Sequence, residues 1–233
     1  MKKLSATMFK KISLAEVRES SRRSNSEANN RIHWFSSKFS IYFSYIFINI
    51  GISADRITNL FLVAGVFGAI YVQYPVVSYL LWRVHIILDM SDGDIARFNQ
   101  SFSSRGKYWD RLNHSIINPL FCFFIGNNFF TFYSDITYLY LGVILMFFQF
   151  LLLNVKYYQF GDSQSIRNKI SGWNFGQILK NIFLDLLSME GVILFLVLFA
   201  RLIPEPLVLL IFYFYIVLFF IFAGIKFHAF SYK

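Results

Sequence analysis

The sequence predicts an all-α integral membrane protein with six transmembrane helices and an N-terminal amphipathic helix at the membrane interface. Hydrophobic residues make up 56% of the 233 residues and charged residues only 15%, against about 25% charged residues in an ordinary soluble domain. Apolar runs approach the length needed to cross a bilayer, and lysines and arginines collect between them. This balance excludes a disordered chain. The single cysteine, Cys122, excludes a disulfide scaffold.

The N-terminal part of the chain is expected to stay in the cytosol. Residues 1–38 are polar and basic, without the apolar stretch that a secretory signal requires. The segment 39–55 follows, beginning with the apolar run Phe39–Ile50, which is only about half a bilayer long. Its length predicts an amphipathic helix that lies at the interface.

The remainder, 56–233, is predicted to form one membrane domain with six spans. Turn residues such as Gln73-Tyr74-Pro75 divide the apolar runs. Within the first run, Gly65 and Gly68 predict close helix packing. The predicted spans are Ile57–Val72, Val76–Met90, Tyr108–Ile125, Thr137–Val155, Leu186–Ala200 and Leu207–Ile225.

The basic residues predict the orientation of these spans. If the N-terminus is cytosolic, nearly all lysines and arginines lie on that side, and the opposite loops contain only Arg201. Such asymmetry places both termini in the cytosol. The formal charge of +9 is therefore an orientation signal and does not indicate a nucleic-acid partner, which requires an exposed basic surface. The abundance of Phe, Ile, Asn, Lys and Tyr is typical of an AT-rich genome, and we expect a bacterial inner membrane.

A cluster of carboxylates marks the candidate site. Four of the eight aspartates lie between Asp89 and Asp110, at the cytosolic end of the second span and the start of the third. Ionisable groups at this depth are costly and indicate function. Asp89 and Asp92 share one helix face, and Asp110 and His114 share another. Two antiparallel helices would therefore bring three carboxylates and an imidazole together.

The chemistry of this cluster predicts a divalent cation. Neighbouring carboxylates repel one another unless a cation lies between them, and oxygen ligands without cysteine favour Mg²⁺, Mn²⁺ or Ca²⁺ over zinc. Mg²⁺ usually keeps coordination positions for substrate phosphates, which suggests a phosphorylated donor. Arg97 lies beside the cluster and is suited to phosphate, while Gly93 and Ala96 leave room for a ligand near the backbone.

The spacing of these residues resembles the motif of the CDP-alcohol phosphotransferase family, D-x2-D-G-x2-A-R-x8-G-x3-D-x3-D. Seven of its eight fixed positions match here: Asp89, Asp92, Gly93, Ala96, Arg97, Gly106 and Asp110. The family's first span commonly opens with P-N-x-x-T, of which this chain retains Thr58. The resemblance extends across the six-span plan from about residue 40 onward.

The resemblance implies a transferase. Family members move a substituted phosphoryl group from a CDP-linked donor, such as CDP-diacylglycerol, to an alcohol acceptor and release CMP, in phospholipid or lipid-linked glycan biosynthesis. It implies a cytosolic site in contact with membrane lipids, and a homodimer. Asp89, Asp92 and Asp110 would hold Mg²⁺ or Mn²⁺. The positions implied for donor binding are Thr58, Gly93, Ala96, Arg97 and Gly106.

His114 departs from the motif, because it stands where the family has its last aspartate, the base that deprotonates the acceptor. Three hypotheses follow. His114 is the general base, since histidine suits proton abstraction near neutrality; or it ligates a metal; or the chain is an inert homologue that binds nucleotide or lipid and supports a partner. Asp55 would restore a carboxylate near the site or cap the first span. A cation transporter is a further class of protein to consider, but the clustering of the carboxylates at one membrane edge argues against it.

Four basic side chains have both a functional and a structural interpretation. Arg83 and His85 lie within the second predicted span, where they line a polar cavity or pair with a structural partner, the latter being favoured. Arg167 and Lys169 bind an anionic acceptor or lipid phosphate, or are ordinary cytosolic positive charges.

Overall fold

The computed structural model describes residues 12–21, 34–102, 104–159, 202 and 204–231. Within these ranges the regular structure is helical and contains no strand, which confirms the all-α prediction. A short 3₁₀ turn, Tyr71–Gln73, follows the third helix. The helices are α1 (Leu14–Ser20), α2 (Trp34–Asn49), α3 (Ala54–Ile70), α4 (Pro75–Phe98), α5 (Ser104–Tyr133), α6 (Ile136–Gln159) and α7 (Glu205–Ser231).

Local chemistry explains several helix boundaries. In α1, Ser13 and Glu16 form a reciprocal capping box. Helix α2 ends at Asn49 and is followed by Gly51, whose φ of 73° is a left-handed conformation that glycine adopts without strain. Helix α4 begins with Pro75 and ends at Phe98; two residues later, Gln100 also has a positive φ, of 49°. The candidate motif therefore occupies the last turns of α4 and the first turns of α5.

Helices α3, α4 and α5 pack together, so that the start of α3, the end of α4 and the start of α5 lie at one end of the protein. Two glycines allow the close approach. A Cβ atom on Gly65 would lie 2.8 Å from a methyl carbon of Ile117, and one on Gly68 would lie 3.3 Å from the ring of Phe121. The predicted packing role of these glycines is therefore confirmed. The buried core between the three helices includes Ile57, Phe61, Trp82, Ile86, Ile117 and Phe121.

Helices α5 and α6 cross with their backbones in contact. A Cβ atom on Gly126 would lie 2.6 Å from Cα of Gly142 and 2.7 Å from the carbonyl oxygen of Tyr138, so a larger residue requires the helices to separate. Before α6, the Asp135 carboxylate accepts a hydrogen bond from the Thr137 N–H at 2.9 Å. This bond holds the pKa of Asp135 below its usual range.

Helix α2 has a buried serine face and an exposed apolar face. Ser36, Ser40 and Ser44 are buried, and the last two contact α4. Large apolar side chains on the other side are exposed, including Phe39, Phe43 and Ile46. Because the apolar face points away from the protein, this helix suits contact with lipid. Its apolar part, Phe39–Asn49, is shorter than a span.

The described residues contain three helices long and apolar enough to cross a membrane, which is consistent with an integral membrane protein. They are Ala54–Gln73, Ser104–Tyr133 and Ile136–Asn154. They contain the first and third predicted spans, and all of the fourth except its last residue, Val155. The second predicted span lies in α4, which falls outside this set. Glu205–Leu218 is a shorter apolar helix within α7. The fifth predicted span, Leu186–Ala200, lies outside the described residues.

Candidate metal centre

Two carboxylates and an imidazole meet between the end of α4 and the start of α5. The Nε2 atom of His114 lies 3.2 Å from Oδ1 of Asp89 and 3.5 Å from Oδ1 of Asp110. One ligand atom from each residue lies within 4.8 Å of the others. All three side chains are partly exposed, between 23% and 41%, so a ligand can reach them. Asp89, Asp110 and His114 thus lie together in the structure, as their spacing along the two helices predicted.

The donor set fits a divalent cation. Octahedral Mg²⁺ holds oxygen ligands at about 2.0–2.1 Å, so its neighbouring ligand atoms lie about 3 Å apart and opposite ones about 4 Å apart. The three atoms found here need only small movements to meet that geometry. Carboxylates suit Mg²⁺ and Mn²⁺, and an imidazole suits transition metals. Asp89, Asp110 and His114 could therefore hold a metal ion, with coordination positions left for other ligands.

Asp92, the third predicted metal ligand, lies outside this group of three. Its Oδ2 atom is 2.7 Å from the Thr58 hydroxyl of α3, which donates a hydrogen bond to it. Thr58 is almost fully buried, at 5% exposure, so this hydrogen bond holds the Asp92 carboxylate from the interior of the protein. The group found here thus contains His114, which stands at the position of the motif's last aspartate, and does not contain Asp92.

The fourth carboxylate of the cluster, Asp94, faces a different part of the protein. It is 4% exposed. One oxygen pairs with the Arg97 guanidinium at 2.6 Å, and the other accepts a hydrogen bond from the Ser40 hydroxyl of α2 at 3.1 Å. The Ser44 hydroxyl lies 3.3 Å from that second oxygen. Asp94 therefore ties α4 to α2.

Arg97 takes part in the same network. Besides Asp94, its guanidinium donates through Nε to the carbonyl oxygen of Ser21, directly after α1, at 3.2 Å. Gly93 makes room for this arrangement, because a Cβ atom there would lie 3.3 Å from the guanidinium nitrogens. The carbonyl oxygen of Ala96 accepts the N–H of Ser101 and closes the end of α4. Arg97 was predicted to bind donor phosphate; the structure places its guanidinium against Asp94 and the end of α1.

Gly106 and Asp55 line a cleft between the first turns of α3 and α5. The cleft has a volume of about 380 Å³. The Trp109 indole N–H donates to the side-chain oxygen of Asn59 across it at 2.9 Å. Asp55 is exposed in the first turn of α3, and its carboxylate is not among the three grouped ligands. The lining residues are Asp55, Asn59, Arg105, Gly106, Tyr108 and Trp109.

His85 and Arg83 have structural contacts. The His85 Nδ1 atom lies 2.9 Å from the carbonyl oxygen of Phe61, and its ring contacts those of Phe61 and His114. The Arg83 guanidinium lies 5.3 Å from the centre of the Tyr79 ring, a cation–π distance. Arg167 and Lys169 lie outside the described residues.

Sequence reasoning missed the serines that hold Asp94 and the polar pair Asn59–Trp109. One signal was available: Ser36, Ser40 and Ser44 recur at intervals of four, which places them on one helix face. The Asn59–Trp109 pair had no comparable sequence signal, because the two residues are 50 positions apart.

In the described part of the chain, the fold and the site define a helical protein with three membrane-capable helices and an Asp–Asp–His group that could hold a metal ion. Comparison with known protein families and with curated proteins finds no match for this chain.

Proposed function

We propose that this protein is a metal-dependent membrane transferase that moves a substituted phosphoryl group from a CDP-linked donor to an alcohol and releases CMP. The observation that carries the proposal is the convergence of Asp89, Asp110 and His114 within 4.8 Å, at the junction of two helices that carry seven of the eight fixed residues of the CDP-alcohol phosphotransferase motif. A divalent cation bound by the Asp89 and Asp110 carboxylates would offset the charge of the donor's pyrophosphate, which leaves the His114 imidazole to accept a proton.

The proposed reaction is a displacement at phosphorus. The acceptor oxygen forms a bond to the phosphorus that carries the transferred group. The bond from that phosphorus to the bridging oxygen of the pyrophosphate breaks, and CMP leaves with the electron pair. The hydroxyl proton passes to His114, whose ring is partly exposed and is supported on the face of Phe61 at a centroid distance of 5.9 Å. Thr58 keeps Asp92 oriented beside the site.

The proposed membrane arrangement has six spans, with α4 and the segments Leu186–Ala200 and Leu207–Ile225 crossing in addition to the three membrane-capable helices. The site and both termini face the cytosol of a bacterium, and the protein acts as a homodimer. Single-cysteine labelling in a Cys122→Ala background tests this orientation. The expected result is labelling of Ser101→Cys from the cytosolic side only; labelling from the opposite side would contradict the topology.

The activity is tested by CMP release from the purified chain with CDP-diacylglycerol, a panel of alcohols, and Mg²⁺ or Mn²⁺. We expect metal-dependent release that is abolished by Asp89→Asn and by Asp110→Asn. Asp135→Asn is the matched control, because Asp135 is a half-buried aspartate in the loop before α6 and is not among the grouped ligands. Absence of CMP release with every alcohol, or full activity in both site variants, would overturn the proposal.

A further inference from the structure

His85 is a buried imidazole of α4 that the proposed reaction does not use. It is only 2% exposed. Its ring meets the ring of His114 at a centroid distance of 6.2 Å and an interplanar angle of 77°, within the range of about 4.5–7 Å over which aromatic rings pack edge to face. Because His114 is the candidate general base, a ring fixed behind it in the protein interior affects how that base is presented to an acceptor.

A hydrogen bond and two rings hold His85 in place. Its Nδ1 atom lies 2.9 Å from the carbonyl oxygen of Phe61 in α3. A carbonyl oxygen only accepts, so Nδ1 carries the hydrogen and donates it. The Phe61 ring contacts the His85 ring at 5.2 Å and 64°, and the Trp82 ring lies at 5.0 Å. The His85 ring therefore has little freedom to rotate.

The His114 ring rests on the same support. It stacks on the Phe61 ring at 5.9 Å and 28° and meets His85 at a steep angle. Two neighbouring rings in different orientations restrict both the tilt and the rotation of the imidazole. Its Nε2 atom then faces Asp89 at 3.2 Å and Asp110 at 3.5 Å. Asp89 follows His85 by four residues on one face of α4, so α4 supplies both the supporting ring and a carboxylate.

We propose that His85 is a positioning residue that fixes the orientation of the His114 ring, through the hydrogen bond to Phe61 and the contact between the two imidazoles. The inference rests on the proposed transferase function and adds to it a residue that acts only through His114. A misplacement of about 1 Å in a reacting group costs about 10²-fold in rate. Loss of this support should therefore lower turnover while the carboxylates still bind the cation.

The first test is a double-mutant cycle on kcat for CMP release by the full chain at saturating Mn²⁺. His85→Asn keeps an N–H donor for the Phe61 carbonyl but removes the ring that meets His114. We expect kcat to fall about tenfold to a hundredfold, with little change in the Kd for Mn²⁺. In a His114→Ala background the same substitution should cost less than about twofold, because the group that it positions is gone. An equal loss in both backgrounds would overturn the inference.

A second variant displaces the His85 ring without replacing it. The Cβ atom of Gly65→Ala would lie 3.0 Å from Nδ1 of His85, so the ring must shift. Gly68→Ala is the matched control on the same helix, because its Cβ would instead meet the Phe121 ring at 3.3 Å. We expect Gly65→Ala to lower kcat and Gly68→Ala to retain it. Melting temperatures in detergent show that each variant is folded, and equal kcat values for the two folded variants would count against the inference.

A third measurement needs no turnover and separates this inference from the proposed function. Nuclear magnetic resonance of the metal-free chain with ¹⁵N-labelled histidine, at a pH where the imidazoles are neutral, reports which ring nitrogen of His114 carries the hydrogen. Carboxylates only accept, so we expect the hydrogen on Nε2 in the natural chain and a mixture of both forms in His85→Asn.

The signals of His114 are assigned by their loss in His114→Ala. An unchanged single form in His85→Asn would overturn the inference even if the chain releases CMP. If the mixture appears but no alcohol supports CMP release by the natural chain, His85 does orient His114 and the transferase fails.

Discussion

Replacing His114 with alanine tests its role: His114 is a general base, or a metal ligand, or part of a catalytically inert homologue. The Nε2 atom lies 3.2 Å from one carboxylate and 3.5 Å from another, and the side chain is 23% exposed, so an acceptor hydroxyl can reach the ring. Alanine removes the proton acceptor but leaves Asp89 and Asp110 to bind the cation. A general base contributes about 10²–10⁴-fold to rate. That range corresponds to about 3–5 kcal/mol of transition-state stabilisation.

The assay measures CMP release under saturating Mn²⁺ and, in parallel, the Kd for Mn²⁺ by electron paramagnetic resonance. For a general base, we expect kcat to fall by about 10²–10⁴-fold while the Kd for Mn²⁺ changes little. Ser115→Ala, at the next position of α5, is the control and should retain full kcat. A loss of activity that is restored by excess Mn²⁺ would refute the base assignment and make His114 a ligand.

His114→Asp separates these enzymatic roles from an inert homologue. It supplies a carboxylate at the last position of the family motif, so an active enzyme should retain more turnover than His114→Ala does. If the natural chain releases no CMP and His114→Asp gains activity, the chain is an inert homologue. If the natural chain and His114→Ala are equally active, His114 has no part in proton transfer.

Two further predictions concern the scaffold. Gly126→Ala should lower the free energy of unfolding by about 1–3 kcal/mol, because the new Cβ would lie 2.6 Å from backbone. Gly68→Ala should cost less, because its Cβ would meet the end of an aromatic side chain at 3.3 Å. Thermal unfolding in detergent compares the two variants, and equal melting temperatures would contradict the prediction drawn from the backbone contact. Asp94→Ala leaves the partly buried Arg97 without its 2.6 Å carboxylate partner and should cost about 3–5 kcal/mol, measured in the same way, with Asp135→Asn expected to have little effect.

Helical periodicity accounts for what could be predicted of the site. Residues three or four apart share a helix face, so the spacing within 89–92 and within 110–114 was enough to place those side chains on matching faces. The loop that joins α4 to α5 is short, which keeps the two faces near one another. The all-α fold could also be predicted, because the length and composition of the apolar runs do not depend on tertiary contacts.

The limits of sequence prediction are visible in Asp94 and Arg97. At about 100° per residue, Asp94 projects roughly 140° from Asp89 around α4, so periodicity already separates it from the site. Its actual partners, however, are serines of α2 about 50 residues earlier, and a single sequence does not show which helix covers that face. Arg97 was grouped with the site because it suits phosphate, but the neighbouring Asp94 and the end of α1 compete for it.

The separation of these two faces changes the electrostatics of the proposed site. Arg97 is paired with Asp94 at 2.6 Å, so its charge is already offset and adds little toward a donor phosphate. The site face then carries the carboxylates of Asp89, Asp92 and Asp110, and a bound pyrophosphate would add further negative charge. Like charges this close are unfavourable in a partly buried site. A divalent cation is therefore more necessary here than if Arg97 faced the ligand, and removal of the metal by a chelator should abolish donor binding as well as turnover.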